Sequence, residues 1–206
     1  MTTWFTSDHH HHHRRITEFT ARCQFTDPDN HSEWLIDLWN SQVQRGDTVW
    51  HLGDFSFSSR FEDWANVLRK LNGNINLIKG NHDDMKIMKS AQLSGLINNC
   101  WDYKEIKLDS TNVVLFHFPI ESWNKQGYGS IHLFGHTHGS LPDSGGKRLD
   151  VGLDNAWNIF GEHKFFSEEF VLEYMQDRSV KVSDHHKDHT ATASFLNAGA
   201  SQKELT

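Results

Sequence analysis

Seven side chains suited to holding metal ions follow short apolar runs. Asp8 and His10 follow WFTS, Asp54 follows TVWHLG, Asn81 follows INLIKG, His117 follows NVVLF, and His136 with His138 follow SIHLFG. They offer carboxylates, one amide and imidazoles, and no thiolate. Such a mixed nitrogen and oxygen set suits borderline divalent metals such as Mn, Fe, Ni or Zn better than calcium. Two neighbouring ions can clamp a phosphate and hold a hydroxide in line with a leaving group. A single carboxylate, having two oxygens, is the natural bridge between them. His82, beside Asn81, can exchange a proton near neutral pH. If it protonates the leaving oxygen, activity should fall as pH rises.

Taken singly, most of these signals are weak. Asp-x-His arises often by chance. Gly53-Asp54 reads equally well as a turn with a helix-capping carboxylate, and His117 alone reads as a core histidine. Gly80-Asn81-His82-Asp83 and Gly135-His136-Thr137-His138-Gly139 are stronger, because glycine lets the chain turn sharply where a strand ends. The specificity lies in the set, since every member falls at a strand end. Ligand sites of open α/β sheets lie at that carboxyl edge.

The elements that must position these groups can be read from periodicity. Thr2 to Ser7, Thr48 to Leu52 and Ile75 to Lys79 read as strands. Trp34, Leu35, Leu38, Trp39 and Val43 recur at helical spacing behind a capping box at Asn30 and Glu33. Phe61, Trp64, Leu68 and Leu71 do so behind another at Ser59 and Glu62. Strand, helix, strand, helix, strand implies parallel pairing with right-handed crossovers. Met85 to Ala91 reads as a short helix. Tyr103 to Leu108 and Asn112 to Phe116 read as a hairpin. Ile131 to Phe134, Arg148 to Leu153, Phe170 to Met175 and Val180 to Ser183 read as further strands, so the second half is expected to be mostly antiparallel. The expectation is one domain over residues 1–183, followed by a polar, mobile tail over 184–206.

Composition narrows the function classes. The chain has 206 residues, 36% hydrophobic and 23% charged, with eight Trp and fourteen Phe to fill a core. Its formal net charge of −7 argues against an extended basic face for nucleic acid. An anionic substrate stays open, because bound cations reverse the local field. Cys23 and Cys100 are too few for a disulfide framework and read as reduced thiols. No stretch has the length and apolarity of a membrane span, and MTTWFTSD has no basic segment followed by an apolar one. A cytoplasmic location is expected. Oligomeric state is left open.

Together, D-x-H, G-D, G-N-H-D, a strand-end histidine and G-H-x-H resemble the calcineurin-like metallophosphoesterase family over roughly Trp4 to Asp154. FTSDHH, VWHLGDFSF, LIKGNHD, VLFHFPIESWN, HLFGHTHG and RLDVGLD resemble its small bacterial and phage-type members. The resemblance implies an α/β fold of two packed, mostly mixed sheets flanked by helices in a four-layer sandwich. It implies that Asp8, His10 and His138 hold one ion, that Asn81, His117 and His136 hold the second, and that Asp54 bridges them. It makes His82 the outer-shell proton donor and Asp83 the group that orients its ring. The expected activity is hydrolysis of phosphodiesters by a metal-activated hydroxide. Small nucleotides, cyclic nucleotides or nucleic-acid ends would serve as substrates. The alternatives are a phosphomonoesterase, a catalytically silent binding scaffold, and metal sequestration through the chain's sixteen histidines.

The run His9 to His13 looks like a purification tag, but it follows a strand and supplies the D-x-H register. Only His10 is required by the motif. His13 is a candidate for a substrate-facing position, and Arg14 and Arg15 for meeting a substrate phosphate. His9, His11 and His12 depart from the family pattern and are candidates for an adventitious metal site, as are His185, His186 and His189 in the tail. Asp150 and Asp154 are read as structural partners of the histidine loop.

Overall fold

The first strand, β1 (Thr3–Thr6), pairs in parallel with β2 (Thr48–His51), and β2 pairs in parallel with β3 (Asn74–Ile78). A computed structural model describes residues 1–18, 22, 24–25 and 27–181. Two helices make the crossovers: α1 (Pro28–Gln42) joins β1 to β2, and α2 (Phe61–Leu68) joins β2 to β3. After β3 come α3 (Met85–Leu93) and β4 (Asn99–Trp101), which adds in parallel to β3. The second sheet contains β5 (Tyr103–Leu108), β6 (Thr111–Phe116), β7 (Ile131–Phe134) and β8 (Arg148–Asp150), in that order. The described chain closes with α4 (Leu153–Phe160), β9 (Phe166–Ser167) and α5 (Glu168–Gln176). β9 returns antiparallel beside β1, giving the first sheet the order β4-β3-β2-β1-β9.

Alternation along the strands divides the core in two. Val49, Ile75 and Leu77 face α1 to α3, packing on Leu35, Trp39, Trp64 and Met88. Phe5, Trp50 and Ile78 point the other way, onto Val113, Leu115, Ile131, Leu133 and Leu149 of the second sheet. Ala156 of α4 and Val171 and Met175 of α5 join this inter-sheet core. Burying a side chain of this size stabilises the fold by about 1.5–3 kcal/mol. The α/β class and the two mixed sheets flanked by helices agree with the sequence expectation. Among the described residues, no helix is long and apolar enough to cross a membrane.

Several boundaries differ, each for a local reason. The first helix starts before the expected box at Asn30: Asp27 caps it by accepting from the Asp29 amide at 3.0 Å, and Pro28 opens it. The second is preceded by Arg60, which makes no side-chain cap. Phe170 to Met175 is not a strand but most of α5. Ser167 caps that helix by accepting from the Phe170 amide, Glu168 and Glu169 occupy its first turn, and Val171 and Met175 are buried one turn apart. The expected strand from Arg148 ends at Asp150, and Leu153 already opens α4. Residues 180 and 181 form no strand; the rest of the expected Val180 to Ser183 strand, Cys23, and the tail with its histidines lie outside the described residues.

The second sheet is also less antiparallel than expected. Among the described residues of this sheet, only β5 and β6 pair antiparallel; β6–β7 and β7–β8 are parallel. The β6–β7 crossover runs through residues 117–130 with just a 3-10 turn at Gln126–Tyr128. Without a helical pattern, that crossover leaves no sign of parallel pairing in the sequence.

Candidate metal centre

The strands β1, β2 and β3 of one sheet and β6 and β7 of the other all end at the same rim. The loops beyond them continue the strand pairing for a few residues. The amides of Asp8, His10 and His11 donate to the carbonyls of Gly53, Asp54 and Phe55 at 3.0, 2.9 and 2.9 Å. The Gly135 amide donates to the His117 carbonyl at 2.9 Å. The two sheets are tied across the rim as well. The His136 amide lies 3.0 Å from both Asp8 carboxylate oxygens, and His117 Nδ1 lies 2.8 Å from the Leu52 carbonyl oxygen.

These ties bring all seven predicted residues together. Asp8, His10 and His138 form one group whose ligand atoms all lie within 4.8 Å of one another, and Asp54, His117 and His136 form a second. His10 Nε2 is 3.3 Å from His138 Nε2 and 3.6 Å from an Asp54 oxygen. That same Asp54 oxygen is 3.5 Å from His117 Nε2. The Asn81 amide oxygen lies 3.0 Å from His117 Nε2 and 2.9 Å from His136 Nδ1. Nitrogen and carboxylate ligands sit about 2.0–2.2 Å from a zinc-like ion, so donors about 3–4 Å apart match the edges of a coordination shell. The donor set thus fits divalent ions on geometry as well as on chemistry.

Five of these residues adopt left-handed backbone angles: Asp8, His10, Asp54, His136 and His138 have φ of 59°, 54°, 55°, 70° and 49°. Such a conformation costs a non-glycine residue about 1–3 kcal/mol and concentrates where a site demands it. Glycines provide the closeness. A Cβ at Gly80 would sit 2.1 Å from an Asp54 carboxylate oxygen, and one at Gly135 would sit 2.5 Å from Asp8 Oδ2.

Burial and the groups' mutual charges together set the protonation of the cluster. Asp8 is fully buried, which pushes its pKa up to about 6 against the pull of His138 and His117. Burial also opposes ionisation of Asp54, yet the His117 imidazole, the His82 amide and His10 hold its pKa below the usual carboxylate range. His117 answers with a pKa of about 8: desolvation lowers it, and Asp54 and Asp8 more than reverse that. Burial drives the pKa of His10 well below the ordinary value, which favours the neutral ring an ion needs.

Residues outside the two groups divide differently from the expectation. His82 is exposed, with its ring centroid 5.5 Å from that of His10 and 4.8 Å from that of Phe57. Asp83, expected to orient the His82 ring, instead accepts the backbone amides of Asp54, Phe55 and Gly80 at 2.8, 2.9 and 2.9 Å. It fixes the turn that presents Asp54, and burial raises its pKa to about 6. His13 stacks on Phe57 at 4.0 Å beside the centre, whereas Arg14 is exposed to solvent. His9 and His11 point into the core. His9 packs against Trp39, His51 and Phe165, and His11 against Phe55. His12 lies 3.2 Å from the Ser56 hydroxyl. Among the described residues, none of these three joins a group able to hold an ion.

A family model described as a calcineurin-like phosphoesterase superfamily domain matches residues 1–149. The chain belongs to that superfamily. Among curated relatives of this phosphoesterase-family chain is the Gene 66 protein of Mycobacterium phage D29, 35% identical over 181 residues, covering 75% of this chain and 88% of the phage protein. The Gene 66 protein of Mycobacterium phage L5 is 31% identical over 185 residues, covering 75% and 87%. Among solved structures, the protein of unknown function AQ665 from Aquifex aeolicus shares the fold with a TM-score of 0.63 at 20% identity, over 84% of this chain and 98% of that one.

One residue of this phosphoesterase-family centre escapes sequence reasoning. Arg22 is fully buried. Its guanidinium donates to the Asp8 carbonyl at 2.7 Å, to the His9 carbonyl at 3.1 Å, and to both Asp154 oxygens at 3.2 and 2.9 Å. Asp154 in turn lies 2.6 Å from His138 Nδ1. Arg22 therefore joins the D-x-H turn to the histidine loop through one planar group. Asp150 supports the same loop by accepting from the Thr137 hydroxyl and the Gly139 amide.

Proposed function

We propose that this protein is a dinuclear metal-dependent phosphoesterase acting on phosphodiesters of nucleotide-like substrates. The observation that carries this reading is a single Asp54 oxygen lying between the two groups, 3.6 Å from His10 Nε2 and 3.5 Å from His117 Nε2. Asp8, His10 and His138 would hold one ion, Asn81, His117 and His136 the other, and Asp54 both. When bound, the ions would supply positive charge to the phosphoryl oxygens and lower the pKa of a water.

The chain's own groups do the rest. Arg22, Asp83 and Asp154 hold the ligand turns in place before any substrate arrives, so little reorganisation accompanies binding. His82 lies exposed at the rim with its ring facing the His10 side of the centre, where a protonated imidazole can reach the leaving oxygen of an ester. His13, beside it, is suited to contacting the substrate.

The test is a panel of aryl phosphodiesters and phosphomonoesters with Mn, Ni, Zn and Mg, run beside elemental analysis. Diester turnover that depends on added metal is expected, and His82→Ala should lower it by well over tenfold. A metal-loaded protein inert across the panel would overturn the reading in favour of a silent scaffold. Faster turnover of monoesters would move it to a phosphomonoesterase.

A further inference from the structure

A cavity of about 660 Å³ opens beside His136 and His138, and the groups considered so far do not explain it. Its walls include Glu18, Ser140, Leu141 and Pro142; carbon makes up most of the wall surface, and Leu141 and Pro142 are the apolar residues in it. Small-molecule sites span about 300–1,000 Å³ and are mainly apolar with a few placed polar groups. A phosphate alone would leave most of this volume empty. Leu141 keeps 38% of its surface exposed, so its side chain is presented to the opening rather than committed to the core.

We propose that this cavity receives a nucleoside carried on the phosphate, its flat base against Leu141 and Pro142 and its hydroxyl or amino donors on Glu18. The assignment rests on the phosphoesterase reading, which puts the phosphate at the histidine edge of the cavity. A substituent on phosphorus then has this space in front of it. The apolar wall suits a flat ring. The carboxylate selects what else the substituent must offer, because an ionised carboxylate only accepts hydrogen bonds. Arg15 Nε donates to one Glu18 oxygen at 3.3 Å. That pair is exposed, so it is weak and leaves acceptor capacity facing the cavity. An alkyl or simple aryl group would give Glu18 no donor. A second phosphate would meet the charge of Glu18 in the wall, and a like charge in such a place selects against it; Asp154, also in the wall, has its charge engaged by Arg22 and His138. The favoured occupant is the nucleoside side of a phosphodiester with no second phosphate in the cavity, and a nucleoside monophosphate is the fragment that carries it.

Calorimetry on the metal-loaded full chain tests this, with inorganic phosphate, methyl phosphate, phenyl phosphate and adenosine and uridine 5′-monophosphates as probes. Nucleoside monophosphates should bind at least tenfold tighter than methyl phosphate, with phenyl phosphate between them. Leu141→Asp and Glu18→Gln should each shrink the ratio of nucleoside monophosphate to methyl phosphate affinity threefold or more. The ratio is the readout, since a damaged fold would weaken both ligands together. Equal affinity for methyl phosphate and the nucleotides, or an unchanged ratio in both variants, overturns the proposal. Phenyl phosphate binding as tightly as the nucleotides overturns the nucleoside assignment. If no probe binds, inorganic phosphate included, and no ester is hydrolysed, the phosphoesterase reading itself fails and this inference with it.

Discussion

The two sheets contribute unlike groups to the rim they share. The first sheet brings both carboxylates and the amide, Asp8, Asp54 and Asn81, together with His10. The second brings only imidazoles, His117, His136 and His138. Among the described residues, neither sheet by itself assembles a group able to hold an ion: one group takes Asp8 and His10 from the first and His138 from the second, and the other takes Asp54 from the first and His117 and His136 from the second. Carboxylate is thus concentrated on one side of the inter-sheet core and imidazole on the other. An ion held at either place would pin the two layers together at one end, whereas the apolar contacts of Phe5, Trp50 and Val113 pin them along their length.

Breaking the shared carboxylate should have the largest effect. If the centre holds two ions and hydrolyses diesters as proposed, Asp54→Asn, which keeps the shape but removes the charge nearest both groups, should lower diester turnover by about a hundredfold or more and bring the metal content below two ions per chain. His136→Ala should cost one ion and leave the other. Turnover and elemental analysis of purified variants check both. If Asp54→Asn keeps full metal content and activity, the two sheets do not share an ion through it.

Ion binding across the layers should also appear as stability. A ligand that binds only the folded state at a hundred times its Kd adds about 2.7 kcal/mol. Saturating Mn or Zn should therefore raise the Tm of the full chain, and a chelator should return it. The gain should shrink in His138→Ala as well as in Asp54→Asn, although these residues come from opposite sheets. A gain that survives loss of the second-sheet histidines would mean the ions sit on the first sheet alone.

Arg22 supports both sides of one group: the Asp8 turn directly and His138 through Asp154. Losing such an outer partner typically lowers metal affinity 10–100-fold. Arg22→Met should weaken one of two ions by that factor and leave the other within about threefold. Arg22→Lys should recover little, because an ammonium cannot reproduce the planar fork that reaches both Asp154 oxygens and two carbonyls. Equal weakening of both ions would show a general loss of packing instead.

The parts of this design that sequence reveals are the local ones. Asp8, Asp54, Asn81, His117, His136 and His138 each follow a strand whose apolar run is visible, so their convergence follows once the strands are parallel and adjacent. The early crossovers were legible because Trp39 and Trp64 lie on helices with a clear apolar face. The β6–β7 crossover was not, since residues 117–130 carry no periodicity. α5 reads as a strand because FVLEYM offers aromatic and β-branched residues in a short run, and its helical cue is the Ser167 cap before it. Arg22 lies in a stretch without pattern, and its partner Asp154 is 132 positions away. The role of Asp83 is hidden for a related reason. A carboxylate beside His82 in sequence suggests contact with it, but the turn aims Asp83 at three backbone amides instead.

The smallest predicted effect separates the two kinds of histidine on a single strand. His136 and His138 leave β7 at the rim, whereas His132 is fully buried within it. The His132 ring nitrogens lie 3.3 Å from the Val114 carbonyl oxygen and 3.2 Å from that of Phe118, with Trp123 and Phe134 packed on the ring. Burial lowers its pKa to about 4; the two carbonyls resist that shift and Arg148 adds to it. Because the folded value lies below that of the unfolded chain, the unfolded chain takes up the extra proton. Stability attributable to His132 is therefore intact above about pH 6.5 and is lost as pH falls toward about 4. His132→Gln removes the titration and keeps a group able to hydrogen-bond. In chelator, to keep ion binding out of the balance, denaturant unfolding should show the variant gaining about 2 kcal/mol on the wild type between pH 7 and pH 4.5. A parallel pH dependence in the two proteins would mean that His132 is already protonated in the fold, its charge held between the two carbonyls.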